Sequence, residues 1–141
     1  MGEVMTLAET SEPIGEFNKH VGFELTEWQR NHACVEVEID SYHTNVMGVT
    51  HGGVLVSALD FACGMAGCYR PPPEPRFYCM TLTLNTNFIA PMRKGLLRAH
   101  GRKIGGGRSV FFAEGEIVLP DGTLIATASG AFKLFDRKPK A

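Results

Sequence analysis

Two segments in the first third of the chain alternate apolar and polar side chains at period two. They cover residues 23–26 and 33–40, and the second, ACVEVEID, is typical of a half-buried strand. Arg30 and Asn31 lie between the two and favour a hairpin turn. A short helix is predicted over residues 13–20, and residues 41–50 carry no period and are expected to form a loop.

The middle of the chain is one continuous apolar segment. From Gly52 to about Tyr69 nearly every position is apolar, and Arg70 with three prolines follows, which predicts one buried helix. Residues 77–89, 96–104, 109–119 and 123–135 return to strand-like patterns separated by turns rich in Gly and Pro. Such short turns favour antiparallel neighbours. The pattern therefore predicts an α+β fold with one long helix.

A helix that is apolar on every face must be covered on every side. We expect a single sheet to cover only one side of it, and the pattern predicts no second long helix. A second copy of the chain, with its helix alongside the first, would supply the missing cover. We therefore predict an obligate homodimer.

Composition narrows the class of protein. The 141 residues, 44% hydrophobic and 21% charged, suit one folded domain over residues 1–141. The net charge of −1 gives no broad positive surface for nucleic acid or an anionic membrane. The four cysteines form no metal-ligand or redox motif, and no apolar run approaches the ~18 residues of a membrane span. We expect a cytoplasmic protein without metal or cofactor, and with no nucleic-acid or membrane partner.

One carboxylate interrupts the apolar helix. Asp60 is costly to bury unless it is hydrogen-bonded, paired with a base or open to a wet cleft. The helical face that it shares contains Gly53, Ser57, Gly64 and Gly67, the smallest residues of the helix. Since glycine costs about 1 kcal/mol relative to alanine in a helix, two interpretations stay open. The stripe keeps space beside the carboxylate, or it allows close contact between helices across the dimer.

The start of the same helix is the second candidate site. His51, Gly52 and Gly53 open the helix, after a loop that begins near Asn45. A helix start presents unpaired backbone N–H groups at the positive end of the helix dipole. Glycine lets a ligand oxygen approach those groups, as an oxyanion hole requires.

These motifs follow one another in a characteristic order: Asn45-x-x-Gly48-x-x-His51-Gly52-Gly53, then Asp60, then Pro91-x-x-x-Gly95 and Gly107-Arg108. The pattern resembles the hot-dog fold acyl-CoA thioesterases, in particular the phenylacetate-degradation (PaaI-like) type, over about residues 14–134. The resemblance implies a curved antiparallel sheet wrapped around one long central helix. It also implies a homodimer, often paired into a tetramer, that hydrolyses an acyl-CoA substrate to free acid and coenzyme A.

The resemblance also assigns roles to individual residues. Gly52 would donate its N–H to the thioester carbonyl, and Asn45 would help bind that oxygen or the attacking water. Asp60 of the partner subunit would act as general base or nucleophile, and His51 would orient the loop. Thr81 would place a hydroxyl near the carboxylate.

Two assignments keep alternatives. Thr81 belongs to a polar row with Thr83, Asn85 and Asn87 that would equally suit a face turned to water or to a tetramer partner. The coenzyme A phosphates are expected near a glycine-rich turn with a basic residue, although these could be ordinary surface groups; the candidates are Gly106, Gly107 and Arg108.

Two other functions compete with hydrolysis. A non-catalytic acyl-CoA-binding protein would keep the pocket, but the presence of Asn45, Gly52 and Asp60 favours an enzyme. A hot-dog hydratase or dehydratase normally carries an Asp-x-Asn-Pro-x-x-His or His-x-x-x-Gly run that serves catalysis, and neither is recognised here.

Overall fold

The computed structural model describes residues 14–137 and 139–140. Within them, helices and strands follow the order α1 (Glu16–Val21), β1 (Glu24–Gln29), β2 (His32–Ile39), α2 (Gly52–Ala66), β3 (Tyr78–Phe88), β4 (Gly95–Gly106), β5 (Val110–Val118) and β6 (Leu124–Phe135). A single 3-10 turn, Ser41–His43, follows β2. Pro13, where the first helix is predicted to begin, lies outside the described residues.

The six strands form one antiparallel sheet with the order β1-β2-β4-β5-β6-β3. Strands β1 and β3 are therefore its edges. All six strands contact α2, so the sheet curves around the helix. This confirms the predicted α+β architecture, a curved antiparallel sheet around one long helix.

Strand β1 is longer than the predicted segment and contains an irregularity. Its register with β2 shifts between Leu25 and Glu27, which breaks the period-two pattern on which the prediction rests. After the shift, Trp28 points into the core and its indole N–H donates to the carbonyl oxygen of Met65 at 2.8 Å. That carbonyl oxygen is in the last turn of α2 and also accepts the Cys68 N–H at 3.0 Å, so the bond from β1 adds a second hydrogen bond at the C-terminal end of the helix.

Two paired glycines of the sheet allow α2 to approach it closely. Gly101 of β4 and Gly115 of β5 are opposite each other in the ladder. A Cβ atom on Gly101 would lie 2.4 Å from the backbone carbonyl of Ala62, and one on Gly115 would lie 2.8 Å from the sulfur of Cys63. Contacts this short leave no room for a side chain, so both glycines are required by the approach of the helix.

The sheet covers more of α2 than the sequence predicts. Every residue from 62 to 69 is buried within the single chain, whereas most residues of the first half of α2 are at least partly exposed. The expectation that one sheet covers only one side is therefore wrong for the C-terminal half. The strong curvature, with every strand reaching the helix, supplies the cover that we had assigned to a second copy.

Replacing Gly101 by alanine is expected to destabilise the protein by about 1–3 kcal/mol, because the added methyl group meets backbone atoms of α2 that cannot rotate away. Gly105→Ala in the same strand is the matched control, since nothing lies within 4 Å of a Cβ there. Urea unfolding of both variants measures the difference. Equal stability of the two variants would contradict the proposed close contact.

Candidate active site

Asp60 is hydrogen-bonded to the strand that faces it. The hydroxyl of Thr81 donates to Oδ1 of Asp60 at 2.6 Å, and Asp60 is half-buried. The register of β3 with β6 shifts between Thr81 and Thr83, which turns Thr81 toward α2. Asn87 points to the opposite face, where its amide approaches the Thr127 hydroxyl at 3.5 Å. The polar row is thus split, and Thr81 alone of its members contacts the carboxylate in the described structure.

The carboxylate borders a cavity of about 270 Å³ between α2, α1 and β3. Helix α2 contributes Ser57, Asp60 and Gly64 to its wall, which are three members of the small-residue stripe. Strand β3 contributes Cys79 and Thr81. The site is therefore a pocket beside the helix, with its carboxylate held from the opposite wall.

The three glycines of the stripe have different surroundings. A Cβ on Gly64, which borders the cavity, would lie 3.1 Å from the sulfur of Cys79. A Cβ on Gly67 would lie 2.3 Å from the ring of Phe111, and one on Gly53 would lie 2.9 Å from His51 Nδ1. All three glycines therefore make room for neighbouring side chains of the same chain, and Gly64, although it borders the cavity, is closely covered by Cys79.

His51 caps the N-terminus of α2. Its Nδ1 accepts the backbone N–H of Gly53 at 2.8 Å, and its carbonyl oxygen accepts the N–H of Val54 at 2.9 Å. In the part of the chain that the structure describes, the N–H of Gly52 has no acceptor. This N–H lies at the positive end of the helix dipole and can bind an oxygen that develops negative charge.

Asn45 holds the loop before α2 and keeps one group free. Its Oδ1 accepts the backbone N–H groups of Met47 at 2.9 Å and of Val49 at 3.2 Å. Gly48 closes the turn with an N–H donated to the Asn45 carbonyl oxygen, and its φ of 73° is a left-handed conformation that favours glycine. With its side-chain oxygen occupied, Asn45 offers its Nδ2 amide as a hydrogen-bond donor.

A single chain does not bring the two halves of the predicted site together. Asp60 follows Gly52 by eight residues on one helix, which corresponds to about 12 Å along the axis. That is too far for the Gly52 N–H and the Asp60 carboxylate to contact one carbonyl group. Gly52 lies at the N-terminus of α2, after the loop that Asn45 holds, whereas Asp60 contacts Thr81 further along the helix.

His43 is a positioning residue that the sequence analysis missed. It is buried, its Nδ1 accepts the N–H of Asp40 at 2.8 Å, and its Nε2 lies 2.6 Å from the carbonyl oxygen of Val21. These contacts join the end of α1 to the loop that carries Asn45. Because both partners are backbone groups, no complementary side chain in the sequence marks the role of His43.

The glycine-rich turn between β4 and β5 borders a second cavity, of about 580 Å³, near the C-terminal end of α2. The N–H of Gly107 donates to the Val110 carbonyl oxygen at 2.9 Å, so it is already used within the turn. Gly106 has a φ of 136°. The basic residues of this cavity are Arg108, Lys103 and Arg30.

The thiols near the carboxylate are not activated. Burial raises the pKa of Cys63 to about 12. The hydrogen bond with Cys68 and burial raise the pKa of Cys79, which lines the Asp60 cavity, far above its usual value. Both are therefore protonated thiols at neutral pH and poor nucleophiles. Among the groups of the cavity, the Asp60 carboxylate is the better candidate for chemistry.

Two further features of the described residues bear on function. They contain no cluster of three or more His, Cys, Asp or Glu side chains that could hold a metal ion. None of the helices among them is long and apolar enough to cross a membrane.

Residues 47–126, more than half of the chain, match the family model of the Thioesterase superfamily, so the chain belongs to this family. A Pseudomonas aeruginosa protein named "Putative esterase PA0474" is 34% identical over 102 residues, which cover 71% of this chain and 73% of that protein.

Solved structures show the same fold. Thioesterase HI1161 of Haemophilus influenzae superposes with a TM-score of 0.80 at 20% identity, covering 94% of this chain and 92% of that one. The PaaI protein from the phenylacetic acid degradation operon of E. coli superposes with a TM-score of 0.74 at 20% identity, covering 89% and 88%. The hot-dog fold and the resemblance to PaaI-like thioesterases are thus confirmed.

Loss of the helix cap should reduce stability. His51→Ala leaves the Gly53 N–H without its side-chain acceptor, and we expect a decrease of about 0.5–2 kcal/mol in the free energy of unfolding. His51→Asn, which can accept the same bond, should recover most of it. Chemical denaturation distinguishes the three proteins, and an alanine variant as stable as the parent would show that the cap contributes nothing.

Proposed function

We propose that the protein is an acyl-CoA thioesterase that hydrolyses an acyl-CoA thioester to the free acid and coenzyme A. Membership of the Thioesterase superfamily supports hydrolysis as the reaction class. The observation that carries the proposal is the hydrogen bond from Thr81 to Asp60 at the wall of a cavity. It holds a carboxylate in one orientation beside space for an acyl group.

The proposed chemistry needs only groups of the chain and water. The Gly52 N–H and the Asn45 Nδ2 amide bind the thioester carbonyl oxygen and stabilise the negative charge that develops on it. Asp60, with Oδ1 engaged by Thr81, directs its other oxygen to a water molecule as general base, or attacks the carbonyl carbon itself. When water attacks, collapse of the tetrahedral intermediate breaks the carbon–sulfur bond, coenzyme A leaves as a thiolate, and protonated Asp60 returns its proton to that thiolate or to solvent. When Asp60 attacks, the same collapse leaves a mixed anhydride on Asp60, which water hydrolyses to the free acid and the restored carboxylate.

We propose that two chains form each site, because one chain holds Gly52 and Asp60 about 12 Å apart along α2. Among the described strands, β3 has β6 on one side and no neighbour on the other. Met80 and Leu82 on this edge strand are 58% and 55% exposed. A long, exposed, apolar edge is a template for pairing with another strand. Pairing β3 with its copy forms the proposed homodimer, in which Asp60 of the partner subunit completes the site; two such dimers can form a tetramer.

The second cavity is the proposed position of the coenzyme A phosphates. Its basic side chains, Arg30, Lys103 and Arg108, lie on three different segments and converge on one surface region. Gly106 and Gly107 shape the turn that carries Arg108. We place the activity in the cytoplasm, where the four cysteines would stay reduced, as the free thiols of the structure are.

Asp60→Asn should lower kcat by about 10²- to 10⁴-fold, because the amide can still accept the Thr81 hydrogen bond but is neither a base nor a nucleophile. Thiol release from a panel of aryl, short, medium and long acyl-CoAs measures the rate. Thermal unfolding is the control, and we expect little change in Tm. A variant with near-normal turnover and a strongly altered Tm would show that the carboxylate is only structural.

Mixing two inactive variants should restore activity if the site is shared. Asn45→Asp keeps the oxygen that accepts the Met47 and Val49 N–H groups but removes the amide donor, so its loop should stay folded. After subunit exchange with Asp60→Asn, heterodimers contain one intact site, and about a quarter of the original activity should return. The absence of recovery after exchange verified by mass spectrometry would place the whole site in one chain.

A further inference from the structure

Arg76 is a second charged group in the cavity of Asp60. It lies in the segment between α2 and β3 and is half-buried. Its Nε donates to the Phe77 carbonyl oxygen at 2.8 Å, and its guanidinium is 4.3 Å from the centre of the Tyr78 ring. These contacts fix the direction of the side chain at the wall of the cavity.

The positive charge of Arg76 is uncompensated by protein carboxylates in the described structure. Arg70, Arg98 and Arg102 each form an ion pair with an acidic side chain, and Arg76 forms none among the described residues. Its Nη2 approaches the sulfur of Met65 at 3.5 Å. The guanidinium also hydrogen-bonds with the buried Cys68 thiol, and this contact, after the hydrogen bond with Cys79, helps lower the pKa of that thiol. The sulfur groups of Met65 and Cys68 are weak acceptors. A half-buried guanidinium with donors to spare is stabilised by an anion that reaches it.

Asp60 and Arg76 mark two ends of one path along the cavity. Asp60 contacts Thr81 at one end, and Arg76 contacts Met65 at the other. Gly64 lies between them on α2, and the remaining described lining residues are uncharged. The path therefore begins at a carboxylate, passes uncharged groups and ends at a cation.

We infer that Arg76 binds a carboxylate at the far end of the acyl group, so that the preferred substrates are thioesters of short dicarboxylic acids. This inference rests on the proposed thioesterase function, because it takes the reacting carbonyl to lie at Asp60. The acyl carboxylate forms charge-assisted hydrogen bonds with the guanidinium, and the intervening methylene groups lie along the uncharged middle of the cavity.

The length of the path sets the length of the acyl group. Residues 60 and 65 are five positions apart on α2, which is about 7.5 Å along the helix axis. This separation of the two wall positions and a cavity of about 270 Å³ limit the acyl group to a short chain, and we take two to four methylene groups between its carboxyl carbons as the range to test. Glutaryl-CoA, with three, is the central probe.

Substrate pairs of equal size test the inference. Glutaryl-CoA is compared with 5-methylhexanoyl-CoA, in which an isopropyl group replaces the carboxylate. We expect kcat/KM to favour glutaryl-CoA about 10- to 100-fold, and Arg76→Met to remove that preference while turnover of 5-methylhexanoyl-CoA is retained. Arg76→Gln should behave likewise, and unchanged Tm values would show that both variants fold.

Arg70→Met is the matched control for these variants. Arg70 lies in the same connecting segment, pairs with Asp136 and stacks on Phe77, and it is absent from the wall of the Asp60 cavity. Its replacement should leave the ratio of the two kcat/KM values unchanged. A ratio that changes equally in the Arg70 and Arg76 variants would attribute the effect to general disturbance of the segment and overturn the inference.

Thioesters of N-acetylcysteamine separate an acyl carboxylate from a coenzyme A phosphate as the anion at Arg76. They contain no phosphate, so the preference for the glutaryl group should persist with them and still require Arg76. If Arg76→Met instead slows both acyl-CoAs equally and neither N-acetylcysteamine thioester, Arg76 binds phosphate and the inference is wrong. A parent protein that shows no preference for the glutaryl group would also overturn it.

Calorimetry with glutarate reads the anion site without turnover. We expect glutarate to bind the parent protein even when no thioester is cleaved. We expect it to bind Arg76→Met and Arg76→Gln at least tenfold more weakly. If glutarate binds in this way and no acyl-CoA releases thiol, the proposed thioesterase activity fails while the anion site stands. If 5-methylhexanoyl-CoA is hydrolysed and glutarate does not bind, the activity stands and the inference fails.

Discussion

The close approach of α2 to two paired glycines of the sheet determines the geometry of the rest of the molecule. Gly101 meets the backbone of α2 at Ala62 directly, and Gly115, opposite it in the ladder, makes room for the Cys63 side chain. The helix therefore lies deep in the curved sheet, where all six strands reach it. Small changes in that depth would move Asp60 away from Thr81, since a hydrogen bond of 2.6 Å tolerates little displacement.

Most of the fold could be predicted from the sequence, because its elements have clear hydrophobic periods. The alternation over residues 33–40 and the apolar run after Gly52 each correspond to one element. The coverage of α2 could not be predicted, since sheet curvature depends on pairs such as Gly101 and Gly115 that come together only in the folded chain. The same holds for the second half of β1, where an irregularity after Leu25 breaks the alternation and hides the continuation of the strand that places Trp28 in the core.

The roles of candidate site residues could be predicted where they depend on neighbours in the sequence. They could not be predicted where they depend on how distant segments pack together. His51 and Gly52 open a helix, so their backbone roles follow from position alone. The orientation of Thr81 is ambiguous in the sequence, because strict alternation would put Thr81 and Thr83 on the same face of the sheet. Only the register shift in β3 puts them on different faces. Arg76 lies in a proline-rich segment without any period, and its place in the cavity depends on the path of that segment across α2.

The contact at Gly101 also limits how substrate range can change in this protein. At Gly101 the backbone of α2 packs against the backbone of β4. The helix cannot move away from the sheet without losing this packing, and it cannot move closer because Gly101 has no side chain that could be removed. The position of the α2 backbone is therefore constant. Variation in the shape of the cavity must come from its side chains, and those opposite α2 include Phe17 and Asn18 of α1 and Arg76 of the connecting segment. Libraries aimed at new substrates should start with these three positions, which can change without moving the helix.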